Sequence, residues 1–282
     1  GITVVAKSIS RKGDNFTIED YQIVNGCQTT NILSKAAKNA NQISVPLRLI
    51  GSSDPDFVSK IIIGTNKQNE VREDQFWALL PFMKNLEIYC AGQDGDERIL
   101  IERRDNQYRD VATERTRITK PSDLMKVAAA MFFFQPNRAA RDHRGIRKEF
   151  SSKIFRPDHS VELYHMAALA LYKFDYLVRT SRVPRSYAIN KFYVLYALLR
   201  QFWYTPNILE AAPKHRSNVH RSVMAVILDN DEYASNIESV SKHIESLIAS
   251  SSAKTREQVR DYIRTETFSE SFTQSYFTKP SV

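Results

Sequence analysis

The residue types best suited to binding chemistry lie in the run Asn25-Gly26-Cys27-Gln28-Thr29-Thr30. Amide and hydroxyl side chains flank a glycine there, and the run follows the β-branched pair Ile23-Val24. Asn-Gly readily adopts positive φ, so we predict a turn that leads directly into a helix. Free N–H groups at a helix start, with the helix dipole behind them, attract anions. The run therefore predicts a phosphate site, and the alternative is a strand–turn–helix connection without a ligand.

A second group of candidate binding residues is the basic stretch between residues 98 and 156. The chain has a formal net charge of +8, and much of the excess lies in this stretch, mostly as arginine. Arginine is well suited to bidentate contacts with phosphate or carboxylate groups. We predict one contiguous positive surface, with Arg117, Arg138 and Arg141 in contact with nucleic acid. An ordinary solvated basic face is the alternative.

Other site chemistries have weaker support in the sequence. Cys27 at a helix start would have a lowered thiol pKa, but no base lies near it, and a small core residue is the favoured interpretation. The six histidines are scattered without metal-ligand spacing, so we expect no metal site. A nuclease could use Asp96 and Glu102, but Arg103-Arg104 follows where such sites have a lysine. The catalytic residues, if any, are undefined.

The elements that would position the turn are predicted from residue periodicity. Residues 2–10 and 16–24 alternate around a Gly13-Asp14-Asn15 turn, which predicts a β-hairpin. Residues 28–38 have helical spacing, and residues 45–50 predict the next strand. Strand, helix and returning strand make a βαβ-like unit, so we expect a mixed sheet.

The remainder of the chain has a mainly helical pattern. A helix is predicted over residues 72–91 with a kink at Pro81, and from Ser122 onward the spacing is helical almost throughout. The predicted fold class is therefore α+β. We expect a small mixed-sheet domain over residues 1–120 and a mostly helical domain over residues 121–282.

Composition indicates the compartment. Hydrophobic content of 42% is typical of globular proteins, and two cysteines in a chain of 282 residues suit a reducing compartment. No uncharged run is long enough to cross a bilayer. We therefore predict a cytoplasmic protein with no membrane partner. Since the chain begins inside a predicted strand, we also expect a segment upstream of it.

The run Tyr21-Gln22-Ile23-Val24-Asn25-Gly26-Cys27-Gln28-Thr29-Thr30 contains a specific Asn-Gly-x-Gln-Thr-Thr core. Weaker segments accompany it in a fixed order: Gly1-Ile2-Thr3-Val4-Val5-Ala6, Thr65-Asn66-Lys67-Gln68, Arg103-Arg104 with Tyr108, and Asn137-Arg138-Ala139-Ala140-Arg141. Over residues 1–145 their order and spacing resemble the AIPR family, named for abortive infection phage resistance. The resemblance implies bacterial defence against phage and implies no firmly established chemistry.

A more distant similarity implies a mechanism. The strand, glycine turn, short polar motif and helix look like those of the Asp-Gly-Gln-His-Arg (DGQHR) proteins. Further off, they look like the ParB and sulfiredoxin fold, where the motif holds the phosphates of a nucleotide. Asn25, Gly26 and Gln28 match the Asp-Gly-Gln part loosely, while Thr29 and Thr30 stand in place of His and Arg.

This similarity implies that positive charge reaches the ligand from elsewhere, because threonine carries none. Asn66 and Lys67 stand where the related folds place a second polar segment, and Arg103, Arg104 or Arg117 could supply further charge. Consecutive strand residues point to opposite faces, so one of Arg103 and Arg104 should face the ligand while the other braces the structure. Alternatively, the polar groups of the turn only hydrogen-bond within it.

The sequence thus favours a phage-defence protein that binds a nucleotide or nucleic-acid phosphate at residues 25–30. The ligand-binding residues that we predict are Asn25, Gly26, Gln28, Thr29, Thr30, Asn66, Lys67, Arg103 and Arg104. Two alternatives remain open: a non-enzymatic nucleic-acid-binding or assembly module that uses the arginine-rich stretch, and a nuclease. A nucleotide with Mg²⁺ is the cofactor to consider, and neither the base nor the oligomeric state is defined.

Overall fold

A computed structural model describes residues 1–35, 44–65, 77, 79–104, 106–111 and 114–277. Its contacts divide the chain into two compact units, residues 1–79 and residues 80–282, which we call the first and second units. The first unit contains a three-stranded sheet, and the second is mainly helical with one two-stranded sheet. The α+β class is thereby confirmed. The division into domains at residue 120 stays a prediction.

The sheet of the first unit is mixed, as predicted. Strand β1 (Ile2–Lys12) pairs antiparallel with β2 (Asn15–Asn25) and parallel with β3 (Leu47–Gly51), in the order β2-β1-β3. Helix α1 (Cys27–Lys35) follows β2, and α2 (Pro55–Thr65) follows β3. The start of β1 and the end of β2 are buried, while the hairpin end is exposed. The end that carries the turn is therefore also the packed end.

The second unit is built from helices around a buried aromatic core. Strands β4 and β5 pair in parallel beside them. The elements in chain order are α3 (Pro81–Ala91), β4 (Leu100–Ile101), β5 (Ile118–Thr119), α4 (Pro121–Met131), α5 (Pro136–Ala139), α6 (His143–Phe150), α7 (Val161–Arg179), α8 (Lys191–Arg200), α9 (Pro213–Leu228), α10 (Asn230–Ala249), α11 (Arg256–Tyr262) and α12 (Glu266–Phe277).

Tyr164 of α7 lies at the centre of this core. Its ring meets Phe82 edge-on with centroids 5.0 Å apart, and Phe132 likewise at 5.3 Å. Its hydroxyl accepts from the backbone N–H of Phe155 at 3.1 Å and lies 3.1 Å from Nδ1 of His159. Edge-to-face geometry and a satisfied hydroxyl are what a buried tyrosine requires. Helices α7 and α8 are buried on nearly all sides, which explains why their sequences are apolar nearly all round.

Proline positions explain where the helices differ from the predicted ones. Pro81 is the first residue of α3, after an extended Leu80, so the described helix begins at the proline and does not kink there. Pro121 likewise begins α4, one residue before Ser122, from which the sequence predicts helical spacing. Proline is favoured at a first helical position because the N–H it lacks would have no partner there.

Among the residues that the structure describes, no helix combines the length and apolarity needed to span a bilayer.

Candidate functional site

The predicted turn joins β2 to α1 through Gly26. Asn25 ends β2 opposite Thr3 of β1, and α1 starts at residue 27. Gly26 has φ +94°, a conformation that residues with a side chain rarely adopt. A Cβ on it would lie 2.9 Å from the carbonyl oxygen of Gly1 and 2.9 Å from Cα of Ile2. The turn therefore requires glycine for two independent reasons.

Gly26 is also the residue that caps α1. Its carbonyl accepts from the backbone N–H of Thr30 at 2.9 Å and from the Thr30 hydroxyl at 3.0 Å. The N–H groups of the first helical turn have no acceptor within a helix, and a side chain at the cap usually takes them up. Glycine has no such side chain, and the first turn of α1 contains no acidic residue. The positive end of this helix therefore carries no countercharge of its own.

The other predicted ligand residues divide between regions of the chain. Gln28 and the half-buried Thr29 and Thr30 lie in the first turn of α1. Asn66 and Lys67 lie outside the described residues. Arg103 and Arg104 belong to the second unit, directly after β4.

A cation that the sequence analysis missed lies in the first unit. Thr3 of β1 pairs with Asn25 on one side and with Arg48 of β3 on the other, so these residues form a row across the sheet. Two strand spacings, about 10 Å, separate the main chains of Asn25 and Arg48. Arg48 is exposed and has no ion pair with a described residue. The strand pairing could not be read from the isolated Leu47-Arg48-Leu49 pattern.

Arg103 is held by Glu87 of α3. Its Nε lies 2.5 Å from Oε2 of Glu87, and the two side chains are only 4% and 15% exposed. Oε1 of Glu87 accepts from Gln107 and, at 3.3 Å, from the hydroxyl of Tyr108. Oε1 of Gln107 in turn accepts the backbone N–H groups of Arg103 and Arg104, at 3.1 and 3.3 Å. Glu87 thus organises the whole loop after β4.

This cluster, Glu87 with Arg103, Gln107 and Tyr108, places Arg103 in a bracing position. Burial and the Glu87 carboxylate raise the pKa of Tyr108 to about 12, so the phenol stays protonated and donates its hydrogen bond. Arg104 is half-buried. Sequence reasoning missed Glu87, whose neighbour Leu86 is buried on α3.

Arg117 is bound within the protein. Its guanidinium donates to the carbonyl oxygens of Gly95 at 3.1 Å and Arg98 at 2.9 Å, and it stacks over the ring of Tyr172 at 4.5 Å. Nε of Arg117 also lies 3.7 Å from Glu114. These contacts tie the segment before β5 to α7.

Arg138 and Arg141 differ in surroundings. Arg138 pairs with Asp142 at 3.3 Å and with Glu149 at 2.5 Å, and these carboxylates raise its pKa. Arg141 is exposed, as are Arg144 and Lys148, and none of these three forms an ion pair with a described residue. Arg144 and Lys148 are one turn apart on α6 and share a face. Arg141, Arg144 and Lys148 are therefore cations that stay available to a partner.

The two carboxylates considered for a nuclease form ion pairs within the protein, and the thiol of Cys90 is buried. Asp96 pairs with the buried Lys173 at 3.3 Å, and Glu102 pairs with Lys120 at 3.4 Å. Burial raises the pKa of the Cys90 thiol to about 12, which leaves almost no thiolate at neutral pH. Within the described ranges, no three His, Cys, Asp or Glu side chains are grouped so that they could hold a metal ion.

The chain was compared with protein-family models, curated proteins and solved structures to identify its family. Neither the search of curated proteins nor that of solved structures found a match. The model of the family described as "AIPR protein" matches residues 1–267, which is nearly the whole chain. This family is associated with abortive infection and phage resistance. The chain therefore belongs to the AIPR family.

Proposed function

We propose that the first unit binds a phosphate group of a nucleotide or nucleic acid at residues 25–30, and that this binding serves the abortive-infection role. The observation that carries the proposal is the glycine cap of α1. A side chain at Gly26 is excluded by φ +94° and by the 2.9 Å approach to Gly1. The N–H groups of the first helical turn can therefore donate hydrogen bonds to an external anion in place of a side-chain cap.

We propose, more specifically, that the first unit has a nucleotide-binding fold like that of ParB and sulfiredoxin. A mixed sheet whose strand leads through a glycine turn into a helix supports it. We also propose that the protein acts in the bacterial cytoplasm, which its free, buried Cys90 supports.

Arg48 is the cation that we assign to this ligand. It occupies the same row of the sheet as Asn25 and has no ion pair among the described residues. Threonines at 29 and 30 bring no charge, so a phosphate needs such a partner. Lys67 is a further candidate through the family motif.

Two substitutions test the proposal from opposite directions. Thr29→Asp places a carboxylate in the first turn of α1, where the helix dipole stabilises it by about 0.3–1 kcal/mol. The same carboxylate repels a bound phosphate. We therefore expect unchanged or higher thermal stability together with loss of binding to ATP or GTP, measured by calorimetry with and without Mg²⁺.

Arg48→Gln should weaken the same binding about tenfold to a hundredfold, as expected for one charged hydrogen bond. Lys12→Gln is the matched control, because Lys12 is an exposed cation at the opposite end of β1. Nucleotide binding that survives Thr29→Asp unchanged would show that the turn is not the site.

A second candidate function is supported by the free cations on and beside α6. Arg141, Arg144 and Lys148 are exposed and unpaired among the described residues, which suits contact with a nucleic-acid backbone. Replacing Arg144 and Lys148 together by Gln should lower the slope of log affinity against log salt by roughly two, since each phosphate contact contributes roughly one. An unchanged slope would assign these residues to an ordinary solvated surface.

A further inference from the structure

The second unit contains an open cleft whose lining includes none of the arginines described above. Its volume is about 500 Å³. Helices α4, α7 and α8, the segment before β5, and Arg264 just after α11 contribute to its walls. This volume falls within the range of small-molecule sites in proteins, roughly 300–1,000 Å³.

Most charges that line the cleft are neutralised in pairs. Lys126 lies 2.9 Å from Asp123, and Lys191 lies 2.7 Å from Asp175. Arg264 is half-buried and has no ion pair with any described residue. One positive charge therefore remains, on a guanidinium that is partly removed from water. Such a group is suited to bidentate contact with a phosphate or carboxylate.

The rest of the lining is largely apolar. Its apolar lining residues include Phe192, Ile189, Ile118, Val127 and Leu171. Ile189 is 36% exposed, and Phe192 is half-buried on the first turn of α8. A ligand whose body is a flat ring would cover this surface. Apolar walls with a few directed polar groups are the usual composition of a small-molecule pocket.

We propose that this cleft binds a small organic anion, with its phosphate or carboxylate on Arg264 and its ring body against Phe192 and Ile189. The site is independent of the turn at residues 25–30, because all of its residues belong to the second unit. Two sources share this chemistry: a mononucleotide and an aromatic carboxylate.

Calorimetric titration of the whole chain with AMP, phenyl phosphate and benzoate tests the proposal and distinguishes the sources. Two further probes each lack one half of the ligand: inorganic phosphate has no ring body, and adenosine has no phosphate. We expect saturable binding of at least one of the three anions, tighter than that of either half. Arg264→Gln should weaken it about tenfold to a hundredfold.

Arg256→Gln is the matched control. Arg256 is exposed at the start of α11, has no ion pair with a described residue and does not line the cleft. It should leave the affinity unchanged, as should Thr29→Asp, which separates this site from the turn. Ala188→Trp fills the cleft from an exposed position and should abolish binding without unfolding. Absence of binding by all three anions, or equal affinity in Arg264→Gln, overturns the proposal.

Discussion

Gly26 and Glu87 each control the geometry around them, and they do so by different physics. At Gly26 the requirement is local: a positive φ and a backbone approach of 2.9 Å leave no room for a Cβ. At Glu87 the requirement is collective, because one carboxylate satisfies Arg103, Gln107 and Tyr108 together. Backbone geometry therefore constrains the first unit at Gly26, and a buried charge constrains the second unit at Glu87. Substitutions at the two positions should differ in size and in how they can be rescued.

Glu87→Gln should produce the largest loss. It keeps the side-chain shape but removes the carboxylate that pairs with the guanidinium of Arg103, which is 4% exposed. Removing one partner of a buried ion pair typically costs about 3–5 kcal/mol. We expect a loss of this size in the free energy of unfolding, measured by urea denaturation. Glu270→Gln, at an exposed position of α12, should change it by less than about 0.5 kcal/mol.

Rescue distinguishes buried charge from a general packing defect at Glu87. The double variant Glu87→Leu with Arg103→Met removes both charges, and such replacements are often neutral or stabilising. It should therefore recover a large part of the lost stability. A double variant as unstable as Glu87→Gln would mean that Glu87 acts through its hydrogen bonds to Gln107 and Tyr108 and not through the ion pair.

Gly26→Ala should have an intermediate effect, confined to the first unit. A residue held in a sparsely populated backbone region costs about 1–3 kcal/mol, and the contact with Gly1 adds to this. Gly13→Ala is the matched control. Gly13 also has a positive φ, +64°, but a Cβ there has nothing within 4 Å. Hydrogen exchange of β1 and β2 should show more opening for Gly26→Ala than for Gly13→Ala, and equal opening would remove the role of the contact.

The same contrast explains which features the sequence could predict. The hairpin, the Asn25-Gly26 turn and the mixed sheet follow from contiguous residues, whose alternation and turn chemistry are local. The partner of Arg103 could not be predicted in this way, because Glu87 lies 16 positions earlier in the chain. Arg117 and Arg138 were chosen for their charge, and their neutralising partners become visible only after folding.

The role of a proline, as a helix start or as a kink, could be predicted from the sequence at one position and not at another. At Pro55 the preceding Asp54 accepts the N–H of Asp56 at 2.9 Å, and an Asp-Pro pair of this kind is typical of a helix start. Pro81 follows Leu80, which has no capping side chain, so a kink and a start could not be distinguished. The position of Arg264 in a cleft could not be predicted from the sequence, because the cleft is formed by several helices that are distant along the chain.

The smallest expected effect is a dependence of stability on pH that separates the two units. All six histidines lie at positions after residue 80. Burial lowers the pKa of His159, His165 and His220 below the ordinary value of 6.5, and the Nε2 of His165 lies 2.7 Å from the carbonyl of Glu97.

The sign follows from proton binding. As pH falls through 6.5, the histidines of the unfolded chain bind protons while those of the folded chain, whose pKa values are lower, stay neutral. The free energy of unfolding therefore decreases. The contribution is complete above pH 6.5 and is lost as pH falls towards the folded pKa values. Hydrogen exchange between pH 7.5 and 5.5, corrected for the intrinsic exchange rate, should show protection falling in α7 and α9 and unchanged in β1 and β2.

His165→Gln tests whether the buried imidazoles carry this effect. Glutamine retains a donor for the carbonyl of Glu97 but does not titrate, so the variant should lose part of the pH dependence of the second unit. His215→Gln is the control, because His215 is exposed at the start of α9. A parallel loss of protection in β1 and β2 would attribute the pH effect to groups other than histidine, since the first unit has none.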